Sequence, residues 1–232
     1  MNVYITGDIH GDPLNLIEFS RRYNLTAEDV IVILGDAGIN IFGERSDVYT
    51  KELMHSVPNI FFCIHGNHEN RPQNIPSYHI EQWHGGRVMV EDDYPNLLFP
   101  VDGDIFDLAG KQCIVIGGAY SVDKFYRLRY NYPWWSDEQP SEETKAYVEH
   151  QIQNHPVDIV FSHTCPHRYE PVEAFLSNID QSTIDKSTEL WLDKIESSLS
   201  YKRWYCGHWH IEKEIGKIQF LYHSIQKLEL HD

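Results

Sequence analysis

Five strand-like apolar runs each end in a short motif rich in metal-ligand side chains, and this recurrence constrains the chain more than any other feature. The motifs are Gly7-Asp8-Ile9-His10-Gly11, Gly35-Asp36-Ala37-Gly38, Gly66-Asn67-His68-Glu69, Ser162-His163 and Gly207-His208-Trp209-His210. Carboxylates, imidazoles and an Asn carbonyl are the donor mixture that a two-metal hydrolytic site requires. A purely structural reading would have to place Asp, Asn and His repeatedly where a strand enters the interior, desolvated without compensation.

The runs preceding these motifs are Val3-Thr6, Val30-Leu34, Ile60-Ile64, Val157-Phe161 and Arg203-Cys206. Between them lie helix signals. Asp12-Pro13 stands ahead of Leu14 and Ile17, Ser46 or Asp47 opens a segment reaching His55, Ser141 precedes Glu142-Glu143 and Thr144-Asn154, and Ser187 precedes Leu190-Leu199. Strands alternating with helices predict an α/β arrangement. Two further pairs of runs, Asp104-Leu108 with Gln112-Gly117 and Ile211-Ile215 with Ile218-Tyr222, read as β-hairpins, so two packed sheets covered by helices are expected. All five motifs follow the C-terminal ends of strands, where open α/β sheets bind ligands.

With 232 residues the chain can bury a substantial core, and one domain over residues 1–232 is expected, with Gln73-Pro76 and Tyr132-Pro140 as loops. No apolar run approaches the roughly 18 residues of a membrane span, and no secretory leader pattern opens the sequence. Cys63, Cys113, Cys165 and Cys206 form no C-x-x-C pair and are expected to be reduced, mostly buried thiols in a cytoplasmic protein. The formal net charge of −16 disfavours extended nucleic acid as a partner, because phosphate neutralisation by Lys and Arg supplies most nonspecific affinity. A small phosphoester can still be captured by a local positive site.

The ordered series D-x-H, G-D, G-N-H-E, H and G-H-x-H, running from residue 7 to residue 210, resembles the calcineurin-like metallophosphoesterases. The resemblance implies a four-layer α/β/β/α sandwich of two mixed sheets flanked by helices, with a dinuclear site at the sheet edge. It implies that Asp8, His10 and His210 hold one metal, that Asn67, His163 and His208 hold the other, and that Asp36 bridges them. The two divalent ions would be Mn, Fe or Zn, and the reaction would be hydrolysis of phosphomonoesters or phosphodiesters by in-line attack of a hydroxide bridging the ions. His68 would protonate or steady the leaving oxygen, and Arg71, in a G-N-H-E-x-R sequence similar to that of the serine/threonine phosphatase branch, would grip phosphate oxygens. Glu69 would fix the loop.

The sequence departs from the phosphatase branch at the second motif. Ile39 and Asn40 stand where a second Asp and an Arg would be, which argues against protein phosphatase activity. The paired G-H-x-H ending belongs to the broader phosphoesterase and nuclease branch, so a nuclease or nucleotide phosphodiesterase is the alternative within the same chemistry. A metal-stabilised binding module without turnover is the alternative of another class. Tyr120-Ser136, rich in aromatics and arginines, is either a substrate-contacting loop for an anion beside a flat group or a loop packed on the core. Trp83-His84-Gly85-Gly86-Arg87 reads as a structural turn, and His65 and His167, although near motifs, are expected to stay off the metal.

Overall fold

The computed structural model describes residues 1–43, 45–175 and 179–229. Its strands are β1 (Val3–Thr6), β2 (Val30–Ile33), β3 (Ile60–Cys63), β4 (His79–Trp83), β5 (Gly86–Val90), β6 (Leu97–Pro100), β7 (Ile105–Leu108), β8 (Lys111–Ile116), β9 (Ile159–Ser162), β10 (Arg203–Cys206), β11 (Lys213–Ile215), β12 (Ile218–Phe220) and β13 (Gln226–Lys227). The helices are α1 (Leu14–Tyr23), α2 (Arg45–His55), α3 (Lys124–Tyr130), α4 (Glu142–Asn154) and α5 (Ser187–Ser198).

The strands form two mixed sheets, one ordered β13-β1-β2-β3-β6-β5-β4 and the other β11-β12-β10-β9-β8-β7. In the first, β1, β2, β3 and β6 run parallel; in the second, β8, β9, β10 and β12 do. Parallel strands buried on both faces read as continuous apolar runs, and β2 (Val-Ile-Val-Ile) and β9 (Ile-Val-Phe-Ser) are buried at every position.

Three apolar layers hold the sandwich together. Phe62, Val32, Phe106, Val115 and Phe161 pack between the sheets. Leu16, Ile17, Met54 and Phe61 join α1 and α2 to the outer face of the first sheet. Val148, Trp191, Leu192, Ile195 and Trp204 join α4 and α5 to the second. Trp204 is wholly buried and satisfies its indole N–H on Ser162 Oγ at 2.6 Å. The arrangement is the expected four-layer α/β/β/α sandwich.

Helix α4 begins where expected, with Ser141 Oγ accepting from the Thr144 N–H at 3.1 Å. Three features differ from the sequence reading. Strands β4, β5 and β6 extend the first sheet beyond β3, with β4 and β5 joined by the His84–Gly85 turn and Trp83 packed on Phe62. Strand β13 pairs antiparallel with β1 at the other edge. Within Tyr120-Ser136, residues Lys124–Tyr130 form a helix, which no apolar periodicity announces because all its side chains are at least partly exposed. The four cysteines are free and buried.

Candidate metal centre

Strands β1, β2, β3, β9 and β10 are parallel within their sheets, so their following loops gather at one edge. Close approach there depends on two glycines in particular. A Cβ on Gly66 would lie 2.0 Å from Asp36 Oδ1, and one on Gly207 would lie 2.3 Å from Asp8 Oδ1. The loops are also locally strained: His10, Asp36, His208 and His210 have φ of 46°, 47°, 65° and 51°, the left-handed region that costs non-glycine residues about 1 kcal/mol or more each. Such backbone persists where surrounding structure over-determines it.

Two groups of donors result. Asp8, His10 and His210 form the first. His10 Nε2 lies 2.9 Å from His210 Nε2, and Asp8 Oδ2 lies 3.3 Å from His210 Nε2 and 3.9 Å from His10 Nε2. Asp8 is 1% exposed; its Oδ1 accepts the His208 N–H at 2.8 Å, and its Oδ2 has no hydrogen-bond partner among the described residues. The neighbouring Asp8 carboxylate raises the His210 pKa, with burial opposing it.

The second group joins Asp8, Asp36 and His163, with Asn67 alongside. His163 Nδ1 donates to the Leu34 carbonyl at 2.8 Å, so in the neutral ring Nε2 carries the lone pair. Asn67 Nδ2 donates to Ser121 Oγ at 2.9 Å, which turns Oδ1 toward His163. These two acceptors face each other at 2.8 Å. Lone pair against lone pair is repulsive, and a cation shared between them relieves it, so the residues fit a bound metal ion. Both orienting contacts are of the kind that fixes metal ligands from outside the coordination sphere.

Asp36 lies between the groups. Its Oδ1 is 3.8 Å from His163 Nε2 and accepts the His68 N–H at 2.9 Å, while its Oδ2 is 3.9 Å from His68 Nε2. Burial alone would raise this carboxyl, but the surrounding imidazoles, His163 first and then His68 and His10, outweigh burial and hold it below the usual range. Burial, followed by His163, pushes the His208 imidazole well below its ordinary value, which keeps it neutral and available as a ligand.

His68 lines the cavity beside Asp36 and Asn67. Its pKa is lowered, chiefly by burial and further by Arg127, with Asp36 opposing. The Arg127 guanidinium contacts His68 Nδ1 and is itself anchored by Asp123 Oδ2 at 2.8 Å and the Pro133 carbonyl at 3.0 Å. An N–H donor at Nδ1 leaves the imidazole proton on Nε2, the nitrogen toward Asp36.

Arg71 is placed elsewhere. It is 9% exposed, donates to Asp102 Oδ2 and to the Asp137 carbonyl at 2.7 Å each, and does not line the cavity that contains His68. Asp102 in turn accepts the Gly117 N–H at 2.7 Å, so Arg71 braces the loop after β8. Glu69 is buried and accepts the N–H groups of Gly66 at 3.1 Å and Gly38 at 3.3 Å, tying the β2 and β3 loops together. Ile39 is in the core, and Asn40 exchanges hydrogen bonds with the Tyr78 hydroxyl. His65 is buried outside both donor groups, and His167 pairs with Glu170 at 2.8 Å.

Two contributors escaped sequence reading. Ser121 follows β8 and Gly117-Gly118, repeating the strand-then-glycine pattern of the motifs, and that pattern would have flagged it. Arg127 was visible only as part of an aromatic and basic segment. The rest of that segment divides: Tyr120 and Val122 line the cavity, while Phe125, Tyr126, Tyr130 and Tyr132 are exposed.

A two-sheet α/β sandwich with carboxylates and imidazoles gathered at one edge defines the metallophosphoesterase class. The calcineurin-like phosphoesterase family matches the sequence over residues 1–212, and the chain belongs to that family. Its members are in general hydrolytic phosphoesterases that bind divalent metals. No curated protein matches the chain. Among solved structures, TT1561 of Thermus thermophilus is similar in fold, with a TM-score of 0.51 and 10% identity across 99% of each chain. No helix among the described residues is long and apolar enough to cross a membrane.

Proposed function

We propose that this chain is a dinuclear metal-dependent phosphoesterase acting on small phosphomonoesters or phosphodiesters. The observation that carries the reading is the pair of lone pairs, His163 Nε2 and Asn67 Oδ1, held face to face by their outer hydrogen bonds, beside the unpartnered Asp8 Oδ2. Asp8, His10 and His210 would hold one ion, and Asn67, His163 and His208 the other, with Asp36 shared. Mixed oxygen and imidazole donors suit Mn, Fe or Zn. When bound, such ions supply charge stabilisation at the phosphoryl oxygens and lower the pKa of water.

The chain's own residues then orient substrate and steady the leaving group. A water oxygen forms a bond to phosphorus as the opposite ester P–O bond breaks; the His68 Nε2–H donates a hydrogen bond to the departing oxygen, which takes its proton from solvent, and a proton of the attacking water passes to solvent. Arg127, fixed by Asp123 and Pro133, keeps His68 Nδ1 as the acceptor and so keeps the imidazole N–H donor on the cavity side. Arg127 therefore takes over the orienting task that the second motif, with Ile39 and Asn40, does not supply. The free, buried thiols support a reducing, cytoplasmic setting, and the charge of −16 supports small substrates over extended nucleic acid.

The test is the initial rate of the Mn-loaded protein on bis(p-nitrophenyl) phosphate and p-nitrophenyl phosphate, against His68→Ala as the control for contaminating activity. A His68-dependent rate on either ester is the expected result. No rate above the variant on both would favour a metal-stabilised binding module.

A further inference from the structure

The cavity at the metal centre is far larger than a phosphate requires. Asp36, Asn67, His68, His208 and His210 form part of its lining, and its volume is about 440 Å³, within the range of roughly 300–1,000 Å³ that small-molecule sites occupy. Tyr120, Val122, Ile184, Trp209 and Ile211 give it apolar and aromatic walls, and Phe175 stacks on Trp209 with ring centroids 5.6 Å apart.

Its lining also includes the charged residues Glu170, Lys186 and Glu189. Lys186 Nζ is 2.6 Å from Glu170 Oε2 and 5.0 Å from the centre of the Phe175 ring, so the chain's own ammonium occupies the aromatic cation position. Glu189, on the first turn of α5, is 5% exposed. Its Oε1 accepts from the Thr164 hydroxyl at 2.8 Å, next to His163, and its Oε2 has no partner among the described residues. Burial without a cationic partner of its own pushes this carboxyl up to about 7.

These features select among ligands. Glu170 and Glu189 against the single ammonium of Lys186 disfavour a second phosphate or carboxylate, and Lys186 already holds the cation position on Phe175. Aromatic walls favour a flat ring, and the Glu189 carboxyl in the lining, without an ion-pair partner among the described residues, favours an N–H donor. Resting on the phosphoesterase reading, we propose that the cavity binds the leaving group of a nucleotide-type phosphoester, an amino-bearing heterocyclic base, and that Glu189 determines this specificity by accepting the base's N–H.

Nucleosides test the cavity apart from hydrolysis because they carry no phosphate. Binding of adenosine and of purine riboside, which lacks the amino group, is measured by calorimetry on the full, Mn-loaded chain. Adenosine is expected to bind about tenfold or more tighter, as a hydrogen bond to a carboxylate predicts. Glu189→Leu is expected to bring the two nucleosides to equal affinity, and Glu189→Gln, which keeps an acceptor oxygen, to restore part of the difference. Ile184→Trp, which fills the cavity without touching Glu189's hydrogen bond, is expected to abolish binding of both with an unchanged circular dichroism spectrum; it serves as the independent variant where Glu189→Leu fails to fold. Absence of adenosine binding, or equal affinities in the unaltered protein, overturns the proposal. His68-dependent cleavage of p-nitrophenyl esters without adenosine binding would sink this inference alone. Adenosine binding without any ester cleavage would instead sink the phosphoesterase reading.

Discussion

The two sheets contribute different chemistry to the same edge. Loops of the first sheet bring both carboxylates and the Asn, Asp8, Asp36 and Asn67, together with His10 and His68; loops of the second bring imidazoles alone as direct donors, His163, His208 and His210. All the negative charge therefore comes from one side and neutral nitrogen from the other. Enclosure does not follow the same divide: Asp8, Asp36 and His163 are each 1% exposed or less, whereas the His10 and His210 side chains, one from each sheet, are 38% and 45% exposed. On the proposed assignment, the first sheet would set how strongly cations are held, and the second would complete their geometry with neutral donors.

The sharpest way to break this contrast is Asp36→Asn, which keeps the side-chain shape and removes the shared charge. We expect metal content by elemental analysis and turnover to fall together, well beyond the ~10–100-fold associated with an outer ligand partner. His163→Gln, on the neutral side, is expected to recover activity with added metal; equal and unrecoverable losses in both variants would erase the distinction.

Next in size is His68→Ala, expected to retain both ions and lose about 100-fold in kcat. Arg127→Ala should shift the pH profile of kcat as well as its height, since the guanidinium both orients His68 and lowers its pKa. A profile unmoved by Arg127→Ala would return α3 to a merely structural role. Smaller again is Ser121→Ala, which frees the Asn67 amide to rotate; about tenfold weaker metal binding is expected from a calcium- or manganese-competition titration.

Two further changes are expected to be read in stability. Arg71→Ala leaves Asp102 buried without its partner, so about 3 kcal/mol should be lost in denaturant unfolding while KM stays unchanged; a raised KM at normal stability would bring Arg71 back to the substrate. Glu189 has a folded pKa raised from 4.5 to about 7, so the native state binds its proton more tightly than the unfolded chain. Its contribution is fully present below about pH 4.5 and is lost as pH rises through 7, about 3 kcal/mol at ~1.4 kcal/mol per pH unit. Glu189→Gln should flatten the stability curve between pH 5 and 8, and an unchanged curve would show that the carboxyl ionises freely.

How much of this was legible in the sequence follows the same divide between buried and exposed backbone. Strands such as β2 and β9 are covered on both faces, so only apolar side chains fit and the run announces itself. Strand β4, His-Ile-Glu-Gln-Trp, is exposed along most of its length at the sheet edge, and nothing in its pattern distinguishes it from loop. Helix α3 lacks a buried face for the same reason. The ligand motifs were legible because Gly, Asp and His after an apolar run have few structural uses. Arg71 was not, because its partner Asp102 lies 31 residues away and only the fold brings them together. Arg127 was hidden among neighbouring aromatics, and its approach to His68, 59 residues distant, is likewise a product of tertiary packing.

The proposed ligands also come from opposite ends of the chain. Asp8 and His208 are 200 residues apart in sequence, as are His10 and His210. An ion gripped from both ends would act as a removable crosslink, closing a loop that spans most of the polypeptide in a protein whose four thiols are all free. In the chain-entropy picture a permanent tie over even a 100-residue loop is worth roughly 4–5 kcal/mol. The metal would thus do for this fold what a disulfide does for a secreted one, with the difference that a change in available metal can undo it.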